Sequence, residues 1–193
     1  MTTAAHNVGR DRDVSQLGML IALGSWTILF TTLFFGYIVL RVQAAGWYYP
    51  RLNELPFRYA FINTLIILTA SFSYDRGVRA AKSRSMEGLR NQLVITLGLG
   101  VFFLLMQMTL WTILTKDGLT VRSSTAGSLI YLLTGFHAVH IVGGLTALSW
   151  VLFQVFKGKV TVDQYLSVDL VGYFWHFLAA VWVIMFITIF VFR

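Results

Sequence analysis

Every acidic residue of this chain stands outside five long uncharged stretches, and that placement constrains the fold more than any other sequence feature. The eight acids are Asp11, Asp13, Glu54, Asp75, Glu87, Asp117, Asp163 and Asp169. Between them and the basic residues lie the uncharged runs 17–40, 59–74, 91–115, 123–156 and 170–192. Each is apolar on all sides, as suits a helix whose solvent is lipid. Crossing a bilayer takes about 20 mainly apolar residues, because backbone N–H and C=O groups must be satisfied inside the segment. Four runs meet that length, and the shorter second one gains from Arg58 and Arg76, which can snorkel from its ends. The fourth, about 34 residues or roughly 51 Å as a helix, is too short for two spans and a turn. It is expected to be one long, tilted helix with Ser123 or Ser124 as N-cap. The expected fold is all-α, a single bundle of five transmembrane helices near 17–41, 58–80, 90–115, 123–156 and 166–193.

Composition agrees: 57% of the 193 residues are hydrophobic and 12% charged, the latter about half the share in soluble domains. The absence of cysteine excludes disulfides, thiolate metal sites and iron–sulfur clusters. Residues 1–16 are expected to form a polar cytoplasmic tail, and 17–193 the membrane domain. The first apolar run is too long for a signal peptide and is expected to be retained. Pro50 and Pro56 are assigned to the loop 43–57, with Trp47, Tyr48 and Tyr49 at the headgroup layer.

Lys and Arg set the expected orientation. With the N-terminus inside, nine bases fall on the inner side and six on the outer. The densest cluster, Arg76, Arg79, Lys82, Arg84 and Arg90, occupies one short loop. Each base is worth about 1 kcal/mol near an anionic leaflet. The expectation is N-in and C-out, with the basic loop touching anionic lipid. These bases form no patch with interleaved aromatics, so no nucleic-acid partner is expected.

Within the runs the titratable candidates are His137, His140 and His176. Three imidazoles could converge on a haem or metal. Equally, they could be neutral groups that hydrogen-bond between helices or meet lipid headgroups. A ligating imidazole normally has its second nitrogen held by a carboxylate, carbonyl or water. No acid lies in any run, so carbonyls or waters would have to serve. The same lack of intramembrane charge argues against an ion-coupled transporter. Small-residue pairs at Gly18/Ala22 and Gly143/Ala147 favour close helix approach.

Two strings carry a specific resemblance. The fourth run contains Thr134-Gly-Phe-His137-Ala-Val-His140-Ile-Val-Gly-Gly144, and the fifth Tyr173-Phe-Trp175-His176-Phe-Leu-Ala-Ala-Val-Trp182. Together they closely resemble the paired signatures of subunit III of the haem–copper terminal oxidases, in its short five-helix form. Glu54-Leu-Pro-Phe57, the segment from Asn63 to Thr69, and Gln107 extend the similarity upstream. The resemblance implies a chain without haem, copper or active site of its own, belonging to a proton-translocating cytochrome c or quinol oxidase. It further implies packing on subunit I, phospholipid binding, support of sustained turnover and proton uptake, and residence in the bacterial cytoplasmic membrane. Haem and copper would sit in partner subunits. His137, His140 and His176 then become structural or lipid-facing residues, with Asn63, Gln107, Trp175 and Trp182 as companions.

The departures fall on carboxylates. Ser25-Trp26 replaces the family's frequent Ser-Glu, Leu110 stands near the acid expected after the glutamine, and Ala179 replaces an aspartate. The branch associated with nitric oxide reductase and a stand-alone histidine-ligated haem protein are the alternative readings.

Overall fold

In the computed structural model, described for residues 2–43, 54–122, 124–158 and 166–192, five long helices follow one another. They are α1 (Thr2–Gln43), α2 (Glu54–Lys82), α3 (Met86–Lys116), α4 (Thr125–Phe156) and α5 (Leu166–Phe186), which ends in a π-helical turn over Ile187–Val191. All five are long and apolar enough to cross a membrane. The described residues contain no strand. The chain is an all-α, multi-pass membrane protein.

The ends of the helices depart from the ends of the charge-free runs. α1 is helical from Thr2, so residues 2–16 continue the first span as helix. Pro56, expected in the loop, occupies the first turn of α2. Its missing N–H would have no intrahelical acceptor there. The other loop residues singled out, Trp47, Tyr48, Tyr49 and Pro50, lie outside the described residues, as does Ser123. Ser124 caps α4, its side chain accepting from Gly127 N at 3.1 Å.

α2 and α3 form the tightest hairpin. Arg84 takes a left-handed conformation (φ 62°), and Ser85 N reaches back to Ala80 O at 2.9 Å, closing the end of α2. Ser85 then caps α3 by accepting from Gly88 N. α5 packs against α2 and α4, while α1 lies mainly against α4 and α5. Large aliphatic and aromatic side chains of α1, including Leu17, Ile28 and Phe35, stay exposed. On the outward faces, hydroxyls of Ser25, Thr32, Thr69, Thr109 and Thr146 donate to the carbonyl four residues back. A hydroxyl facing hydrocarbon is thereby satisfied within its own helix.

Candidate functional site

The centre of the bundle is a polar and aromatic seam joining all five helices. Trp182 of α5 donates its indole N–H to Thr64 Oγ1 of α2 at 3.0 Å, and Thr64 in turn donates to Ala60 O. Phe103 of α3 stands edge-on to Trp182, with ring centroids 4.9 Å apart. His137 of α4 lies 5.5 Å from Trp182 and 6.0 Å from Phe103, and Phe30 of α1 approaches it at 6.4 Å. His137 is buried, and neither ring nitrogen has a hydrogen-bond partner among the described residues. One turn along α3, Gln107 Oε1 accepts from Asn63 Nδ2 at 3.3 Å. This single bond leaves Asn63 Oδ1 and Gln107 Nε2 buried with no partner among the described residues.

Trp175 fills the gap that two glycines leave. A Cβ at Gly100 would stand 2.7 Å from its Cη2, and one at Gly144 3.4 Å from its Cε3. α3 and α4 can therefore flank the indole because both lack a side chain at the contact.

The three intramembrane histidines do not converge. Although His137 and His140 are three residues apart, His137 points inward and His140 is only half-buried. The His140 ring sits against Trp26 (5.5 Å, nearly perpendicular) and Phe30 (5.2 Å), and its Nδ1 lies 2.7 Å from Phe136 O. Trp26 also packs on Phe174 at 4.7 Å. An indole thus contacts His140 from the position where the resemblance calls for a glutamate. Leu110 and Ala179, the other two substituted positions, are buried and apolar.

His176 belongs to a separate cluster between α5 and α2. Its Nε2 is 2.9 Å from Asp75 Oδ1 and its Nδ1 is 2.6 Å from Ser71 Oγ. With the imidazole neutral, Nε2–H donates to the carboxylate and Nδ1 accepts from the hydroxyl. Tyr74 stands edge-on to the same ring and donates its hydroxyl to Val168 O, across a contact with Gly172. The expectation that no acid is available to these imidazoles therefore fails for His176. The charge-free run stops at Tyr74, but helix α2 continues to Lys82 and aims Asp75 at α5. Asp75, Ser71, Thr64 and the Trp26 contact were missed by sequence reasoning. The i, i+4 spacing of Ser71 and Asp75 was the available signal.

The basic residues gather where α2 turns into α3. Arg76 and Arg79 lie over the Phe72 ring, at 5.9 and 5.7 Å from its centroid. Arg90 covers Phe156 at 5.6 Å and Lys157 covers Phe153 at 4.3 Å, at the end of α4 that meets this turn. Lys82 and Arg84 are exposed beside them.

Fold and site together define a five-span membrane protein with polar contacts between its helices. Residues 3–193 match the family described as cytochrome c oxidase subunit III. A probable cytochrome c oxidase subunit 3 of Nocardia farcinica is 36% identical over 193 residues, covering all of this chain and 95% of the relative. The protein of the same description from Mycobacterium tuberculosis matches at the same identity and coverage. A more distant relative, cytochrome c oxidase subunit 3 of Synechocystis, is 28% identical over 96% of this chain and 79% of its own length. The chain belongs to the cytochrome c oxidase subunit III family and is a subunit III-like component of a respiratory terminal oxidase. Subunit III of this family carries no redox cofactor, and among the described residues no three of His, Cys, Asp or Glu come together as metal ligands.

Proposed function

We propose that the chain serves as a non-catalytic packing subunit of an aerobic oxidase in the bacterial cytoplasmic membrane. It docks on the haem- and copper-bearing subunit I, binds phospholipid, and sustains turnover and proton uptake of the complex. Its N-terminus faces the cytoplasm and its C-terminus the outside, which the cations at the α2–α3 turn support. The observation that carries the reading is the separation of the three histidines. His137 is enclosed by rings, His140 rests on Trp26, and His176 is held by Asp75 and Ser71. Each sits in its own surroundings at a contact between helices, and none shares a centre with the others. The relatives' names favour oxygen reduction over the nitric-oxide-reductase branch.

The test is gentle solubilisation and purification through a tag on this chain. A haem-bearing partner should follow it in fixed proportion; if none does, the reading fails. For orientation, a C-terminal reporter active only in the cytoplasm should stay silent, and activity would reverse the assignment.

A further inference from the structure

α1 is the least embedded of the five helices. Only 6% of its most apolar stretch is buried in the chain, against 33% to 56% for the other four. Its contacts follow one seam, Met19, Leu23, Trp26, Phe30, Leu33 and Tyr37, which recur at alternating steps of four and three. Such a repeat holds a helix by a narrow stripe. Midway along the seam lies an aromatic anchor. Trp26 packs on Phe174 at 4.7 Å, and Phe30 on His140 at 5.2 Å and Phe177 at 6.3 Å. Beyond the seam's far end, Arg41 Nη1 donates to Thr188 O of α5 at 3.3 Å.

The π-helical turn of α5 presents that acceptor. In an α-helix the Phe192 N–H would bond Thr188 O, four residues back. Here it bonds Ile187 O at 3.0 Å, and the Thr188 carbonyl accepts from the Arg41 guanidinium instead. From Phe30 to Arg41 the helix rises about 16 Å. Between them Tyr37 is buried, while Phe35, Ile38 and Leu40 are exposed and a Cβ at Gly36 would meet nothing within 4 Å. The interhelical bonds of the core, Trp182–Thr64, Asn63–Gln107 and Trp111–Thr134, involve no residue of α1.

We infer that α1 is a hinged arm, pivoting on the Trp26–Phe30 anchor and latched to α5 by Arg41 on the π-helical turn. With the latch closed, Tyr37 is sealed against the bundle. When it opens, the half of α1 beyond Phe30 swings out and uncovers Tyr37 and the adjoining face of α5. Low contact density makes this half the part of the bundle that opens at least cost. The other four helices keep their mutual hydrogen bonds throughout. The hinge lies in contacts within this chain and does not depend on which partner the chain docks against.

The chain has no cysteine, so one introduced thiol is its sole reporter. The test follows N-ethylmaleimide labelling of Tyr37→Cys in the solubilised, tagged complex, read from the mass of this chain, with and without Arg41→Gln. Labelling of a buried thiol tracks the open population. Losing a hydrogen bond to a charged group should therefore raise the rate about tenfold or more. Phe30→Cys, at the pivot, should label at one rate with or without Arg41→Gln. Thr188→Ala keeps the accepting carbonyl and should leave the rate at position 37 unchanged. Arg41→Lys keeps a cationic donor and should fall between wild type and Arg41→Gln; it carries the comparison if Arg41→Gln does not accumulate. An unchanged rate at position 37 overturns the latch. Equal acceleration at positions 37 and 30 overturns the hinge, by showing that α1 detaches whole. Acceleration by Thr188→Ala as large as that by Arg41→Gln overturns the assignment to the carbonyl.

Discussion

Gly100→Ala, set against Gly98→Ala, isolates the packing of Trp175 from everything else the substitution changes. The added Cβ at Gly100 would stand 2.6 Å from Leu145 Cδ2 and 2.7 Å from Trp175 Cη2. Carbon atoms pack best at about 3.5–4.0 Å, so one or both neighbours must move by about 1 Å. Trp175 has little room, because its neighbouring Cε3–Cζ3 edge rests on Gly144 of α4. Overpacking of this kind costs about 1–3 kcal/mol, while replacing a helical glycine by alanine returns about 0.8–1.0 kcal/mol. A Cβ at Gly98 meets nothing within 4 Å, so that site collects only the propensity gain. The difference between the variants removes the propensity effect and leaves about 1–3 kcal/mol of packing. The assay is the temperature at which the chain leaves the solubilised complex, with Trp175→Phe added to Gly100→Ala as a relieving second change. Gly100→Ala should fall below Gly98→Ala and recover in part with Trp175→Phe. Equal or higher stability for Gly100→Ala would refute the close contact of α3 with the Trp175 indole.

Three further outcomes follow from the site. Asn63→Leu or Gln107→Leu alone should cost about 1–3 kcal/mol by orphaning the partner amide, and the double variant should cost less than the two together. A strictly additive double variant in thermal unfolding would contradict the pairing. His176→Leu should leave insertion intact but loosen retention of the chain by about 0.6–2 kcal/mol, with Asp75→Asn non-additive to it; additivity in a double-mutant cycle would separate the two groups. His137→Leu should be neutral or stabilising, since it removes an imidazole with two unpartnered nitrogens from an aromatic enclosure. A large loss of stability in the same unfolding assay would show a partner for His137 beyond the rings described.

The number of spans was legible because lipid forbids unpaired charge, and the sequence concentrates its charges between the runs. Helix ends were less legible, since the end of a charge-free run and the end of a helix are different events. α2 passes Asp75 and Arg76 before it ends at Lys82, and that continuation brings a carboxylate to His176. Which helices pack together could not be read from runs that are apolar all round. The pairing of Asn63 with Gln107, and the wedge of Trp175 between Gly100 and Gly144, emerge only from that packing. His137 and His140 illustrate the same limit. A spacing of three puts both toward one side of α4, yet one faces the centre and the other meets Trp26 at the edge.

The central claim is that this chain supports a redox partner and holds no redox centre itself. The most direct measurement is the visible redox difference spectrum of the tagged complex, recorded for the wild type and for a variant with His137, His140 and His176 all changed to leucine. The account predicts haem bands carried by the partner, with unchanged positions in the variant and weaker retention of this chain. Loss or displacement of a haem band in the variant, or a haem spectrum in the isolated chain, would contradict it.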